Sequence, residues 1–336
     1  MGSREKIKQI FDLKSNGMTG FWTGNPHPET EKIYLSQMGI ENRELLFQSL
    51  EDDCRWLQGD SAYKHPEGKP MFETSLGKTR IGLSDPGYFS DCESLKQVEE
   101  FPWPNPNFLD FNDLKAEIKK HPDKAILTGM WSPFFHIVSD FFGMENYFMK
   151  MYTDPKIVES VTNHIVDFFC IANDRLFKEI GDSADTFFFG NDFGSQLDLL
   201  ISPESFKQFV LPGFKRLIEV AKKHNKKVLL HSCGSIYKVI PLLIDAGIDA
   251  LHPIQAKAAK MDAVTLSREF KNDIAFVGGV DTQELLIYAT PKQIKEEVYR
   301  LRETLGPNFV VSPSHEAILP NVPLCNVIAM AEAARE

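Results

Sequence analysis

The sequence predicts an α/β protein, a (β/α)8 TIM-type barrel formed by a single domain over residues 1–336. Short apolar runs alternate with long amphipathic stretches from about residue 120 onward, which is the rhythm of strands and helices in a parallel sheet. Two weaker apolar runs precede them and bring the total to eight, the number that closes a barrel. A doubly wound sheet is the alternative, but the chain contains neither a G-x-G-x-x-G pattern nor a Walker-type phosphate loop.

The predicted strands are brief and largely apolar, as parallel strands buried on both faces are. In chain order they are Thr19–Trp22, Arg55–Gln58, Ala125–Trp131, Thr186–Asp192, Lys227–Cys233, Ala250–Ile254, Ile274–Asp281 and Phe309–His315. Helical periodicity predicts helices over Pro155–Ile180, Pro203–His224, Ser235–Ala246, Asp262–Phe270 and Pro291–Leu305. Residues 59–111 contain six prolines and few periodic runs, so they predict an irregular insertion or lid.

Composition narrows the class of protein. The formal net charge of -10 argues against nucleic-acid binding, which needs clustered lysine and arginine. Five cysteines in 336 residues form no regular framework and indicate a reducing compartment. The first residues carry no apolar signal segment, and nowhere do about eighteen apolar residues run uninterrupted. We therefore expect a cytoplasmic protein that does not cross a membrane.

Polar residues follow most of the predicted strands at their carboxyl ends, where a parallel barrel places its active site. They are Asn25 and His27, Asp192 and Gln196, His231 and Cys233, His252 and Gln255, Asp281 and Gln283, and His315 and Glu316. The prolines on both sides of His27 favour a plain rigid loop for that residue.

His231 and Cys233 predict a mononuclear zinc site. Residues two apart on a strand project from one face, so an imidazole and a thiolate can converge on one ion. Zinc prefers such nitrogen and sulfur ligands, and a catalytic zinc keeps one position open beside three protein ligands. His315 is the predicted third ligand, with Glu316 and His252 in reserve. The competing interpretation is a buried histidine beside an inert cysteine.

Two carboxylates have two interpretations each. Asp192 ends an aromatic run, which favours a functional carboxylate over a cap for the following turn. Asp281 is as consistent with a helix cap as with a site. The predicted catalytic residues are Asp192 and His315, and the predicted substrate-binding residues are Asn25, Gln196, Gln255 and Asp281.

With these residues in place, the chain resembles the uroporphyrinogen decarboxylase superfamily, which also contains the zinc-dependent methylcobamide:coenzyme M methyltransferases. The resemblance covers most of the chain and is strongest over Asp192–Met330. It is carried by Ile201-Ser202-Pro203-Glu204, His231-Ser232-Cys233-Gly234, Asp245-Ala246-Gly247-Ile248-Asp249 and Gly278-Gly279-Val280-Asp281. It implies a (β/α)8 barrel.

The methyltransferase branch has an H-x-C pair and a later cysteine that bind zinc. His231 and Cys233 match the pair, whereas His315 stands where the later cysteine is expected and is similar to the Gly-His-Gly-Ile motif of the decarboxylases. The resemblance implies zinc-dependent methyl transfer between a methylcorrinoid, presented by a corrinoid protein, and a small thiol or other methyl donor or acceptor.

Two other functions stay open. One is cofactor-free decarboxylation with Asp192 or Asp281 and His315; the other is non-catalytic binding of a corrinoid or tetrapyrrole. True uroporphyrinogen decarboxylation is the weaker alternative, because the stretch from Phe21 to His27 lacks the arginine that grips carboxylates in the decarboxylases.

Overall fold

A computed structural model describes residues 1–75, 77 and 82–336 of the chain. Within these residues, eight parallel strands form one sheet in the order β1-β8-β7-β6-β5-β4-β3-β2. The strands are β1 (Gly20–Phe21), β2 (Cys54–Gln58), β3 (Ala125–Gly129), β4 (Thr186–Gly190), β5 (Lys227–His231), β6 (Ala250–Ile254), β7 (Ala275–Val280) and β8 (Phe309–Pro313). The predicted (β/α)8 barrel is confirmed.

Several strands end one or two residues before the predicted boundary, because their last residues turn to bond side chains. β3 ends at Gly129, whose φ is +127°, and the next amide, that of Met130, donates to Asn173 Oδ1 at 2.8 Å. β5 ends at His231, and the amide of Cys233 donates to Asp192 Oδ1 at 2.7 Å. Cys233 therefore lies in the turn after the strand, not on the strand.

Two carboxylates close the seam between β1 and β2, where the strand ladder ends. Asp53 Oδ2 accepts the amide of Phe21 at 2.9 Å, and Asp52 Oδ2 accepts the amide of Thr23 at 2.7 Å. The amide of Asp53 in turn donates to the carbonyl of Phe21 at 3.0 Å. These bonds satisfy backbone groups that a ladder would otherwise pair.

Alternation along the strands separates two apolar layers. On β5, Val228 and Leu230 belong to the large core between the strands and the helices, whereas Leu229 points into the barrel. The N-terminal helix closes the lower end of the barrel, with Ile7 and Ile10 buried among the interior side chains. The polar residues described below lie at the opposite end of the barrel, which is formed by the carboxyl ends of the strands.

Helices alternate with the strands around the outside. Those of the described residues are α1 (Ser3–Phe11), α2 (Pro28–Met38), α3 (Arg43–Ser49), α4 (Leu95–Glu99), α5 (Asn112–Ile118), α6 (Phe134–Phe142), α7 (Met144–Thr153), α8 (Pro155–Ile180), α9 (Pro203–Ser205), α10 (Leu211–Lys223), α11 (Ile240–Ala246), α12 (Ala263–Phe270), α13 (Leu285–Tyr288), α14 (Pro291–Leu305) and α15 (Leu324–Arg335). α8 and α14 have their predicted bounds. A π-helical segment, Phe206–Val210, joins α9 to α10. None of the helices in the described part of the chain is both long and apolar enough to cross a bilayer.

The stretch predicted as an irregular insertion, 59–111, packs beside α6 and α8. Phe101 and Phe141 form an edge-to-face pair at 5.2 Å, and the Trp103 ring stacks on His164 at 4.6 Å. Residues 76 and 78–81 of this stretch lie outside the described residues.

Candidate metal centre

The register of β4, β5 and β6 sets the centre of the site. Gly190 pairs with His231, and His231 pairs with His252, so the ends of three neighbouring strands lie at one level. Leu229 points into the barrel, and His231, two residues further along, shares its face. An imidazole is thereby delivered to the barrel mouth, with only 4% of its side chain exposed.

Asp192, His231 and Cys233 form one group of possible metal ligands. His231 Nε2 lies 3.5 Å from Cys233 Sγ and 3.4 Å from Asp192 Oδ1. Because Asp192 Oδ1 also accepts the amide of Cys233, the carboxylate fixes the turn that carries the thiol. The predicted convergence of imidazole and thiolate is thus made by a turn that one carboxylate organises.

Cys233, His315 and Glu316 form a second group. His315 Nδ1 lies 3.5 Å from Glu316 Oε2, and both residues stand in the loop after β8. Each group keeps its ligand atoms within 4.8 Å of one another, and Cys233 belongs to both. The predicted ligands His231, Cys233 and His315 are therefore divided between two groups that share the cysteine.

Charges in the first group favour the ionised carboxylate and the protonated imidazole. Burial lowers the pKa of His231, but hydrogen bonds to Asp192 and Cys233 and the nearby carboxylate of Glu316 raise it to about 10. Burial raises the pKa of Asp192, but the hydrogen bond and charge of His231 hold it below its ordinary value. A bound cation would take the place of the proton on His231.

The thiol of Cys233 is activated by its two imidazole neighbours. Burial raises its pKa, but hydrogen bonds to His231 and His315 bring it below the ordinary value. The hydrogen bond to Cys233 likewise raises the pKa of His315, more than burial lowers it. Partial thiolate character is what a metal ligand needs.

Aromatic rings form the floor of the site. Trp22 and Phe188 lie 4.9 and 5.4 Å from the ring of His252, and Trp131 lies 5.3 Å from that of His231. A floor of this kind excludes water from below and strengthens electrostatic interactions above it.

The predicted substrate-binding residues have different surroundings. Gln255 Oε1 accepts the amide of Gly234 at 2.6 Å, which places it beside Cys233. The amide of Asn25 donates to the carbonyl of Glu316 at 2.7 Å, next to the second group. The side chain of Gln196 is exposed.

Asp281 makes the contacts of a helix cap. Its carboxylate accepts the amides of Gln283, Glu284 and Leu285 at 3.0 to 3.2 Å. Its oxygens are therefore already bonded at the start of α13. The sequence predicts a plain rigid loop around His27. In the structure, the side chain of His27 accepts the amide of Glu29 and caps the start of α2.

Two further residues reach the site without a signal in the sequence. His136 Nε2 accepts the amide of Asp192 at 2.8 Å, from a position near the start of α6. Arg43, on α3, donates to Asn25 Oδ1 and so brings a guanidinium to the mouth. Both residues lie on helices and not directly at a strand end, so the pattern of polar residues that end strands does not include them.

The donor set fits zinc. It offers an imidazole nitrogen, a thiolate sulfur and carboxylate oxygens, all of which zinc accepts. Glu316 Oε2 is buried and makes no hydrogen bond within the described part of the chain. A buried carboxylate oxygen without a donor is a natural ligand for a cation.

Comparisons with known proteins agree with this fold. Residues 94–336 match the family model described as uroporphyrinogen decarboxylase (URO-D). A methyltransferase structure from Methanosarcina mazei superposes with a TM-score of 0.66 over 99% of this chain and 98% of that one, at 18% identity. A curated relative from the same organism, named methylated-thiol--coenzyme M methyltransferase, is 27% identical over 218 residues. That match covers 64% of this chain and 53% of the relative, so the chain matches about half of the relative's length. The chain belongs to the uroporphyrinogen decarboxylase family.

Proposed function

We propose that this protein is a zinc-dependent methyltransferase that moves a methyl group between a corrinoid protein and a small thiol or other methyl donor or acceptor. The observation that carries the proposal is the position of Cys233. Its sulfur is shared by both groups of possible ligands, in a barrel whose family includes the curated methyltransferase described above. An inert buried cysteine would not need two imidazoles and two carboxylates around it.

The residues of the two groups would have different roles in this reaction. His231 Nε2 and Cys233 Sγ would hold the zinc, with Asp192, His315 or Glu316 completing the set. Bound zinc supplies a Lewis acid that makes a thiol a nucleophile at neutral pH. Asp192 fixes the turn of Cys233 through its amide, and the aromatic floor excludes water.

The reaction balances without an external oxidant or reductant. Toward a thiol acceptor, a sulfur–carbon bond forms while the carbon–cobalt bond of the methylcorrinoid breaks. The electron pair of that bond stays on cobalt, and the thiol proton passes to solvent. His315, half exposed beside Cys233, can hold a proton at the mouth. In the reverse direction a methylated donor gives its methyl group to the corrinoid.

Metal analysis of purified protein tests the proposal. We expect about one zinc ion per chain, with an absorption edge that indicates one sulfur ligand among nitrogen and oxygen ligands. Cys233→Ala should lose both the zinc and methyl transfer. Cys325→Ala, at an exposed cysteine on α15, is the matched control and should keep both. Zinc retained by Cys233→Ala, or methyl transfer by a zinc-free protein, would contradict the proposal.

A further inference from the structure

A cavity of about 430 Å³ opens beside the second group of ligands, and we call it the side pocket. Its lining residues are Gln255, Thr282, Gln283, Ile287, Ser314, His315, Ala317 and Leu319. His315 belongs to the group that contains Cys233, and Gln255 bonds the amide of Gly234, the residue after Cys233. His315 and Gln255 thus connect the lining of the side pocket to the residues around Cys233.

The lining of the side pocket, all of it in the described part of the chain, contains no lysine or arginine. Gln255, Thr282, Gln283 and Ser314 offer amide and hydroxyl groups, which bond neutral oxygen or nitrogen atoms. The remaining residues apart from His315 are aliphatic. A pocket of this composition accommodates a molecule with an apolar part and a neutral hydrogen-bonding group.

Charges around the side pocket are mainly negative. Asp281 stands beside it, and the cation near that carboxylate, Lys257, has its Nζ 3.8 Å from Asp281 Oδ2 and is also paired with Glu284. Asp192 and Glu316 lie at the end near Cys233. An anion placed at the end of the pocket away from His315 would lose its hydration without gaining a lysine or arginine partner in the lining.

A bound zinc ion would add no cationic side chain to the side pocket. The thiolate of Cys233 and one carboxylate of Asp192 or Glu316 would neutralise a divalent cation, and the other carboxylate would remain. Arg43, which could attract an anion, donates to Asn25 and also lies 3.8 Å from Glu31. Apart from the open position on the metal itself, the side pocket therefore offers an anion no further cationic partner when zinc is bound.

We infer that the side pocket binds the small methyl donor or acceptor and selects an uncharged molecule over an anionic one. The inference rests on the proposed function, since it places the reacting heteroatom at the metal centre of that function. It adds the class of substrate: an uncharged thiol or thioether, or its oxygen counterpart, carrying a short apolar segment and one hydrogen-bonding group.

Two thiols of nearly equal length test the inference. β-Mercaptoethanol ends in a hydroxyl and mercaptoethanesulfonate ends in an anionic sulfonate. Titration calorimetry on the zinc-loaded protein should give an affinity for the neutral thiol at least about tenfold higher. The dissociation constants are read directly, so the result does not depend on a corrinoid partner or on turnover.

A substitution of Leu319 provides a second test of the selection between neutral and anionic thiols. Its side chain is 52% exposed, so a longer polar side chain can be accommodated without disturbing the core. Leu319→Lys places a cation in the side pocket and should shift the ratio of the two affinities toward the sulfonate by about tenfold. Leu319→Gln, long and polar but neutral, is the matched control and should leave that ratio within about twofold.

The outcomes separate the two proposals. Equal affinities, tighter binding of the sulfonate by the wild type, or no shift in Leu319→Lys overturns the selection of uncharged substrates, while a zinc-dependent methyltransferase still stands. Failure of both thiols to bind the zinc-loaded protein counts against the proposed function, and the inference falls with it.

Discussion

His231 Nδ1 lies 2.9 Å from His252 Nδ1, and this contact fixes how each ring carries its protons. Burial and the neighbouring charge of His231 hold the pKa of His252 well below its ordinary value, so His252 is neutral and accepts at Nδ1. Its own proton then sits on Nε2, which is buried without a partner among the described residues. His231 consequently directs Nε2 toward Cys233 and Asp192.

Replacement of His252 should weaken metal binding although it is not among the predicted ligands of first choice. His252→Ala removes the acceptor that orients His231, and we expect the zinc affinity to fall by about 10-fold to 100-fold. His252→Asn keeps a hydrogen-bonding atom close to the position of Nδ1 and should recover most of the affinity. Competition with a chromophoric chelator measures both, and equal losses in the two variants would indicate a packing defect instead.

Metal uptake should release protons, because the metal-free protein holds one on His231. With a pKa of about 10, His231 is protonated at pH 8, so zinc binding should release at least about one proton and become tighter as the pH rises toward 10. Asp192→Asn removes the carboxylate that raises this pKa and should reduce the number released. Calorimetry in two buffers of different ionisation enthalpy counts the protons; an unchanged count in the variant would refute the assignment.

Stability should depend on pH through Asp52, at the seam of the barrel. Burial raises its pKa from 3.8 to about 6, despite hydrogen bonds from Thr23 and Cys54. Between about pH 4 and 6 the folded protein keeps this proton while the unfolded chain has lost it. The contribution of Asp52 is therefore greatest at low pH and is lost as the pH rises through 6.

The variant Asp52→Asn removes this titration and isolates its effect. The free energy of unfolding of the metal-free wild type, minus that of the variant, should decrease by about 2 kcal/mol from pH 4.5 to pH 6.5. Denaturant unfolding at each pH measures the difference. A difference that is constant, or that grows with pH, would contradict the raised pKa.

Gly24 and Gly17 form a matched pair for testing how the loop after β8 is held. Their φ angles are +84° and +87°, but a Cβ on Gly24 would lie 2.5 Å from the carbonyl oxygen of Glu316, whereas one on Gly17 meets nothing within 4 Å. Both alanine variants should lose about 1 kcal/mol from backbone strain. Gly24→Ala should in addition weaken zinc binding, because it displaces the loop that carries His315 and Glu316.

Zinc affinity and unfolding, measured on the same two variants, check this expectation. Equal zinc affinities in Gly24→Ala and Gly17→Ala would show that the loop after β8 contributes no ligand, and would leave Asp192 to complete the set with His231 and Cys233.

The strand ends could be predicted from the sequence because apolar runs that stop at polar residues are a local signal. His231 and Cys233 were found in this way. The contact of His231 with His252 could not be predicted, since it depends on the register between β5 and β6, which no local pattern specifies. The division of the predicted ligands into two groups depends on how the loop after β8 lies against the other strand ends. It could not be predicted either, because no local pattern specifies that arrangement.

Three carboxylates show a second limit of prediction from the sequence. The sequence left Asp281 equally consistent with a cap and a site, and the structure shows its oxygens bonded to three amides. No local pattern distinguishes Asp52 and Asp53 in the sequence, because they precede a strand and resemble ordinary surface residues. Their role at the seam follows from how the two ends of the sheet meet in space, which is a property of the whole barrel.

The pairing of β1 with β8 has a consequence for biosynthesis. Gly20 on β1 pairs with Val310 on β8. The ladder between these two strands can therefore form only after β8, the last of the eight strands to be synthesised, has been made. The same holds for the metal centre, since His315 and Glu316 follow β8 while Asp192, His231 and Cys233 precede it. Before β8 has been synthesised, only the first group is available to hold a cation, and the second group can form only afterwards.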